Sequence, residues 1–370
     1  MVFSSIVFLF YFLPAFLIFY YSGLNKTAVL LLFSLVFYAY GEVLYTYVLL
    51  VSIVVNYLFG VMISKSEGSQ RRAYLALGVT FNLLLLFWFK YANFAYLVIA
   101  DISSLGLNLS GPSIHLPLGI SFFTFHALSY IIDVYRRTSP VERSIVHLGV
   151  YISMFPQLVA GPIIRFHNIQ DELHGRYASV GLVAKGIVIF SVGLAQKVLL
   201  ANVFALPADQ IFALSPENLR SSVAWLGIIS YTLQIYFDFL GYSTMAIGLA
   251  LMIGFHFPEN FNYPYISQSI TEFWRRWHIT LSSWFRDYLY IPLGGNRAGP
   301  WKTYRNLIVV FFLCGLWHGA SWTFVIWGLF HGVFLVVERA GLLGVLDRVP
   351  RLLRHTYALL VVCVGWVFFR

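Results

Sequence analysis

Two histidines stand in sequence that gives an imidazole little reason to be there. His318 lies in GLWHGASW, inside the nearly all apolar or small stretch FLCGLWHGASWTFVIWGLFHG, and His278 lies in EFWRRWHITLSS. Histidine is the side chain whose unperturbed pKa lies near neutrality, which suits a general base. Polar groups at membrane depth are functional candidates by default. Burial disfavours the charged form and leaves an imidazole able to accept a proton. Gly315, Gly319 and Ala320 around His318 leave room for a substrate. The alternative for His318 is a neutral ring hydrogen-bonded to a neighbouring carbonyl. His331, in FHG, reads as packing. Asp238, in YTLQIYFDFLGYS, must pair, protonate or face water. It is a candidate to orient a histidine or line a tunnel, or to be held by a tyrosine or a backbone group. The remaining histidines lie in loops, near segment ends or at spans, and none is chosen. Spacing alone does not bring His278 and His318 together.

The stretch SITEFWRRWHITLSSWFRDYLYIPLGGNR opens on an S-x-x-E helix start at Ser269 and Glu272. At helical spacing, Phe273, Trp274, Trp277, Leu281, Trp284, Phe285 and Tyr288 share one arc. Arg275, Arg276, Arg286 and Asp287 lie outside it, and His278 falls at its edge. The pattern predicts one amphipathic helix. It reads either as an interfacial helix lying among lipid headgroups or as a gate whose arginines receive a phosphate-bearing donor. No P-loop, G-x-S-x-G, H-E-x-x-H or dinucleotide motif occurs. Cys314 and Cys363 both sit in apolar runs and read as buried hydrophobes, and no metal site is expected.

The elements that must position these groups are membrane helices. Of the 370 residues, 59% are hydrophobic and 11% charged, and mean hydropathy is +0.78. A soluble domain carries roughly 25% charged residues, and several runs here exceed the ~18 apolar residues that mark a span. A β-barrel would show alternating ~10-residue strands instead. The expected class is an all-α, polytopic helical membrane protein. Apolar segments fall at about 3–22, 28–46, 47–64, 75–99, 116–132, 145–164, 181–206, 222–254, 306–337 and 356–370. The first lacks a basic start and a cleavage site, so it reads as a retained span. The formal charge of +9 reads as basic cytoplasmic loops in contact with membrane lipid rather than as affinity for nucleic acid.

Loops 65–74, 133–144, 254–305 and 338–355 are net positive and are placed inside; 100–115, with Asp101 alone, and 205–221 are placed outside. Loops 133–144 and 165–180 then share a side, so 145–164, with FPQLVAGPIIR, cannot simply cross. Pro156, Gly161 and Pro162 suit a re-entrant segment. Segment 306–337 has basic flanks on one side and predicts a tight helical hairpin bent near Gly315–Gly319, with His318 at the bend.

TEFWRRWHITLSSWFRDYLYIPLGGNR followed by GLWHGASWTFVIWGLFHG resembles the membrane-bound O-acyltransferase family. So do LPLGISFFTFHALSYIIDVYR, FPQLVAGPIIRF and YTLQIYFDFLGYSTMAIGLALMIGF, and the likeness covers most of the chain, in its alginate O-acetylation branch. The resemblance implies a helical bundle around a funnel or tunnel, in which an acyl group passes from a thioester to a hydroxyl. It makes His318, of the W-H-G motif, the catalytic histidine and His278 the second active-site position. Trp317, Arg275, Arg276, Arg286 and Asp238 become the substrate-binding set.

The same resemblance implies cytoplasmic acetyl-CoA as donor substrate with no further cofactor, periplasmic acetyltransferase partners, an exopolysaccharide acceptor, and a multi-pass place in a bacterial inner membrane. Leu240 and Thr244 stand where the branch has serine and aspartate, and His256 where arginine is common; these bear on acceptor and partner. The chain stops at VVCVGWVFFR, within an apolar run. It therefore reads as a single domain, 1–370, cut short at its C-terminus. D-alanyl transfer, or acetylation of peptidoglycan or another glycan, would use the same histidines. A proton-coupled transporter, which would show inverted repeats, and a non-catalytic scaffold are the alternatives of another class.

Overall fold

The computed structural model describes residues 1–102, 114–297 and 299–370. The expectation for loop 100–115 lies almost wholly outside them. Among the described residues every regular element is helical and no strand occurs. Six of these helices are long and apolar enough to cross a membrane: Thr46–Lys65, Gly68–Ala100, Val180–Phe212, Ser221–Met252, Trp322–Leu346 and Arg351–Phe369. The chain divides into two compact units, Met1–Ile187 with Ala246–Phe257, and Val188–Met245 with Pro258–Arg370.

In the first unit, helices α1 (Phe8–Tyr21) and α2 (Lys26–Gly41) precede α3 (Thr46–Lys65), α4 (Gly68–Ala100), α5 (Ile120–Arg136), α6 (Ile145–Ser153) and α7 (Phe166–His174). Asn25 starts α2 by accepting the Thr27 and Ala28 N–H groups, both at 3.0 Å. Buried Asn56 and Asn82 join α3 to α4 through reciprocal amide bonds of 3.2 and 2.7 Å. Such pairs act as polar glue between apolar helices.

The proline- and glycine-containing segment breaks where expected. After α6 a single turn, Phe155–Leu158, follows, and the chain then runs without helix to Phe166. Tyr151 donates to the Ile164 carbonyl at 2.9 Å and ties the two ends of the break. Residues 154–158 and 161–164 are buried, which is the condition under which irregular backbone is tolerated in apolar surroundings.

Helices α8 (Val180–Phe212) and α9 (Ser221–Met252) contribute to both units. The second unit continues with α10 (Ile270–Arg276), α11 (Ile279–Phe285) and α12 (Pro300–His318), then α13 (Trp322–Leu346) and α14 (Arg351–Phe369). Helices α12 and α13 form the expected hairpin, broken at 319–321. Two expectations are corrected here. The loop expected from 338 is helical as far as Leu346, with a kink at Gly341. The single amphipathic helix of 269–297 is instead α10 and α11, separated by extended Trp277 and left-handed His278. Its aromatic arc is buried, but in protein rather than headgroups. Trp274 packs on Phe311 and Trp327 at 5.1 and 5.6 Å, and Trp277 packs on Trp366 at 4.9 Å.

Buried Glu338 sets the start of α10. Its carboxylate accepts the Ile270 and Thr271 N–H groups at 2.6 and 2.8 Å and the Thr271 and Tyr357 hydroxyls at 2.6 and 3.1 Å. A carboxylate at a helix N-terminus satisfies donors that the helix leaves unpaired.

Candidate active site

The second unit gathers both histidines around one indole. His278 is 1% exposed, which corrects its expected place at a water-facing edge. It adopts φ 44° and ψ 54° at the start of α11, a region that non-glycine residues rarely occupy. Segment 260–262 holds it there. The Asn260 carbonyl accepts Ile279 N–H at 3.0 Å, and the Arg276 carbonyl accepts Asn262 N–H at 2.9 Å. The Asn260 side-chain oxygen accepts the Thr280 N–H and hydroxyl at 3.2 and 2.9 Å and faces His278 Nδ1 at 3.0 Å.

That last contact decides the tautomer. An oxygen already accepting from Thr280 requires a proton on Nδ1, so Nε2 carries the lone pair. Nε2 is buried and has no hydrogen-bond partner among the described residues. Burial first, and then the charge of His318, hold His278 well below the ordinary imidazole range. The ring therefore stays neutral through physiological pH and presents an acceptor.

His318 is the last residue of α12, and Gly319 beyond it is extended. Its ring is 5.0 Å from each of Trp317, Trp327 and Phe369, edge-on to all three. It is only part-buried, so the aromatic surround is not closed. Buried Trp317 lies 6.1 Å from His278 and 5.0 Å from His318. The structure thus brings together three of the expected residues, two of them forty positions apart in the chain. The room expected around the glycines is absent. A Cβ on Gly319 would strike the Phe324 ring, and one on Gly315 the Phe324 carbonyl. These glycines let α12 and α13 approach closely instead.

The arginines separate. Arg275 and Arg286 line a cavity of about 250 Å³ with Ser282, Asn296, Cys314 and Arg339. Cys314 is one helical turn before His318, ~6 Å along α12. Arg286 also pairs with Asp287 at 2.7 Å. Arg276 is elsewhere: it binds Glu272 at 2.9 Å and the Asn262 carbonyl at 3.1 Å. Both cysteines are free thiols, Cys314 buried and Cys363 only partly so. His331 is fully buried against Trp274 and Trp327, each 5.2 Å away, as packing requires.

Among the described residues Asp238 meets no histidine, tyrosine or backbone group. It pairs with Lys197 at 2.8 Å, across α8 and α9. Each single neutralisation, Asp238→Asn or Lys197→Met, strands one charge in apolar surroundings. Each is expected to lower the melting temperature in detergent by more than the double variant does, read by a double-mutant cycle. The residue pattern alone assigns Lys197, Asn260, Arg339 and Glu338 no role. Only Lys197, one of two lysines within the apolar run 181–206, carries a signal that could find it.

The sequence profile of the family described as MBOAT, the membrane-bound O-acyltransferase family, matches residues 4–369. The probable alginate O-acetylase AlgI of Azotobacter vinelandii is 49% identical over 378 aligned residues, covering 100% of this chain and 75% of that protein. The peptidoglycan O-acetyltransferase of Helicobacter pylori is 37% identical, covering 100% of this chain and 77% of its own length. The teichoic acid D-alanyltransferase of Bacillus subtilis is 31% identical over 64% of this chain and 66% of its own. With the spanning helices and the match over nearly its whole length, the chain belongs to the membrane-bound O-acyltransferase family and is a multi-pass membrane O-acyltransferase.

Proposed function

We propose that the protein moves an acetyl group from cytoplasmic acetyl-CoA to a periplasmic partner protein or directly to an exopolysaccharide of the alginate type, in a bacterial inner membrane. The observation that carries this reading is the pairing of part-exposed His318 with neutral His278 across Trp317. The alginate O-acetylases' likeness over the full chain supports acetyl as the cargo.

His318 acts as general base. It takes the proton of an attacking hydroxyl while the oxygen bonds to the thioester carbonyl carbon. The C–S bond then breaks, and the departing thiolate recovers the proton from His318. His278 Nε2, an acceptor, is unsuited to donating to the carbonyl. It orients the hydroxyl or the N–H of His318. Trp317 sets the distance between the two rings, and the buried aromatic surround limits water, which strengthens charge interactions within it. Asp238 stays in the substrate-binding set only through its ion pair, which braces α9.

The donor's phosphates fit the arginines Arg275, Arg286 and Arg339 of the cavity, whose Cys314 wall is one turn before His318. Arg275→Ala and Arg339→Ala are each expected to raise KM for acetyl-CoA about tenfold, the scale of one charge-assisted hydrogen bond, with kcat little changed. Arg276→Ala, already paired with Glu272, is expected to leave KM within about twofold. Steady-state kinetics with labelled acetyl-CoA check this; equal effects at all three positions would remove the cavity from the mechanism. The same assay, run with alginate-type, peptidoglycan and teichoic acceptors and with D-alanyl donor, decides the cargo and acceptor. Absence of transfer from acetyl-CoA to any of them would overturn the proposal.

A further inference from the structure

The first unit holds a second chemical cluster that acyl transfer does not use. We propose that Glu142, His147 and His174 bind one divalent transition-metal ion, with zinc as the ion their donor set suits best. The three come from consecutive segments. Glu142 lies just before α6, His147 is in the first turn of α6, and His174 is the last residue of α7. Their ligand atoms all lie within 4.8 Å of one another.

The geometry distinguishes this cluster from an ion pair. Glu142 Oε1 accepts Ser144 N–H at 2.8 Å, which fixes the carboxylate as outer partners fix metal ligands. Its Oε2 lies 2.8 Å from His174 Nε2, yet without the alignment of a hydrogen bond. His147 Nδ1 lies 3.7 Å from Oε1. Both Oε2 and His147 Nδ1 are buried and, among the described residues, lack hydrogen-bond partners, and the Glu142 side chain is only 2% exposed. The two rings stand at 90° with centroids 4.6 Å apart, so their nitrogens converge instead of stacking.

Tetrahedral zinc with bonds of ~2.0–2.1 Å holds its ligand atoms roughly 3.3 Å apart, between the two carboxylate–imidazole separations found here. Two imidazoles and one carboxylate leave a fourth position for water. The unit's other carboxylate–histidine contacts differ. Glu42, Asp133 and Glu172 each meet a single imidazole, at hydrogen-bonding distances of 2.8–3.1 Å.

One neighbour opposes the ion. Arg176 is close enough to disfavour positive charge on His147. Its guanidinium is engaged elsewhere, donating to the Tyr20 hydroxyl at 2.9 Å and to the Leu173 carbonyl and Thr27 hydroxyl, both at 3.3 Å. It moderates affinity without filling the site. Bound metal would staple the segment before α6 to the ends of α6 and α7.

The test uses the full chain purified in detergent with a histidine-free tag, stripped with chelator and titrated with zinc chloride alone. The wild type is expected to take up one zinc per chain and to melt at a higher temperature with it. His174→Ala, at a side chain 58% exposed and so tolerant of change, is expected to weaken uptake at least about tenfold and to abolish the thermal shift. Cobalt(II) alone is expected to give the visible absorption of a four-coordinate ion in the wild type and not in the variant. A folded wild type that takes up no zinc, or uptake that His174→Ala leaves unchanged, overturns the proposal.

Discussion

His318→Ala is expected to lower acetyl transfer ~10²–10⁴-fold, the contribution of a positioned general base, while leaving the protein folded and inserted. The side chain is part-buried at a helix end and has aromatic rings on three sides. Truncation enlarges a space already open on one side and does not leave a hole in a packed core. His318→Gln separates chemistry from shape. Glutamine keeps polarity and much of the volume but cannot take a proton at neutral pH. Base catalysis predicts that Gln is as inactive as Ala. A merely structural histidine predicts substantial rescue by Gln. The measurement is turnover of labelled acetyl-CoA against the amount of folded protein, read by size-exclusion profile and melting temperature. Wild-type turnover in a well-folded His318→Ala protein would remove the imidazole from the reaction.

What could be read from residue order here is the part governed by local pattern. Apolar run length placed the helices, and Pro156, Gly161 and Pro162 placed the break after α6. The glycines near His318 placed the hairpin bend. The aromatic arc of 269–297 identified the buried face correctly, since periodicity reports which side is apolar. It could not report that the neighbour is Trp327 and Trp366 rather than lipid, because both are equally apolar to a pattern. The break at Trp277–His278 was invisible for a different reason. WHIT holds no glycine or proline to stop a helix; the left-handed His278 is imposed by Asn260, eighteen residues earlier in the chain. Asp238 and Lys197 are likewise joined only by the packing of α8 on α9. Charge usually ends an apolar span, so the pattern puts Glu338 and Arg339 in a loop. Here the helix runs on and both side chains find polar work inside the unit.

The hairpin that carries His318 makes the other large prediction. Gly315 on α12 and Gly328 on α13 face each other, so that a Cβ on Gly315 would lie on the Phe324 carbonyl and one on Gly328 on the Phe311 carbonyl. These obstacles are backbone, which cannot rotate aside as a side-chain tip can. Even alanine must therefore push the helices apart, and the cost exceeds the ~1–3 kcal/mol of ordinary overpacking. Separation acts directly on the site. His318 is three residues beyond Gly315, and Trp327, which flanks its ring, precedes Gly328. A displacement of ~1 Å between reacting groups costs about 10²-fold in rate. Gly315→Ala and Gly328→Ala are accordingly each expected to lower transfer by about that factor and to reduce the melting temperature. Gly344→Ala, on the same helix as Gly328 but with open space around its Cβ position, is expected to change neither. If Gly315→Ala keeps both turnover and melting temperature, close packing of α12 on α13 does not position the histidine. If it keeps the melting temperature but loses turnover, the glycine serves the reaction by geometry alone, because the hairpin then tolerates a separation that the proton transfer does not.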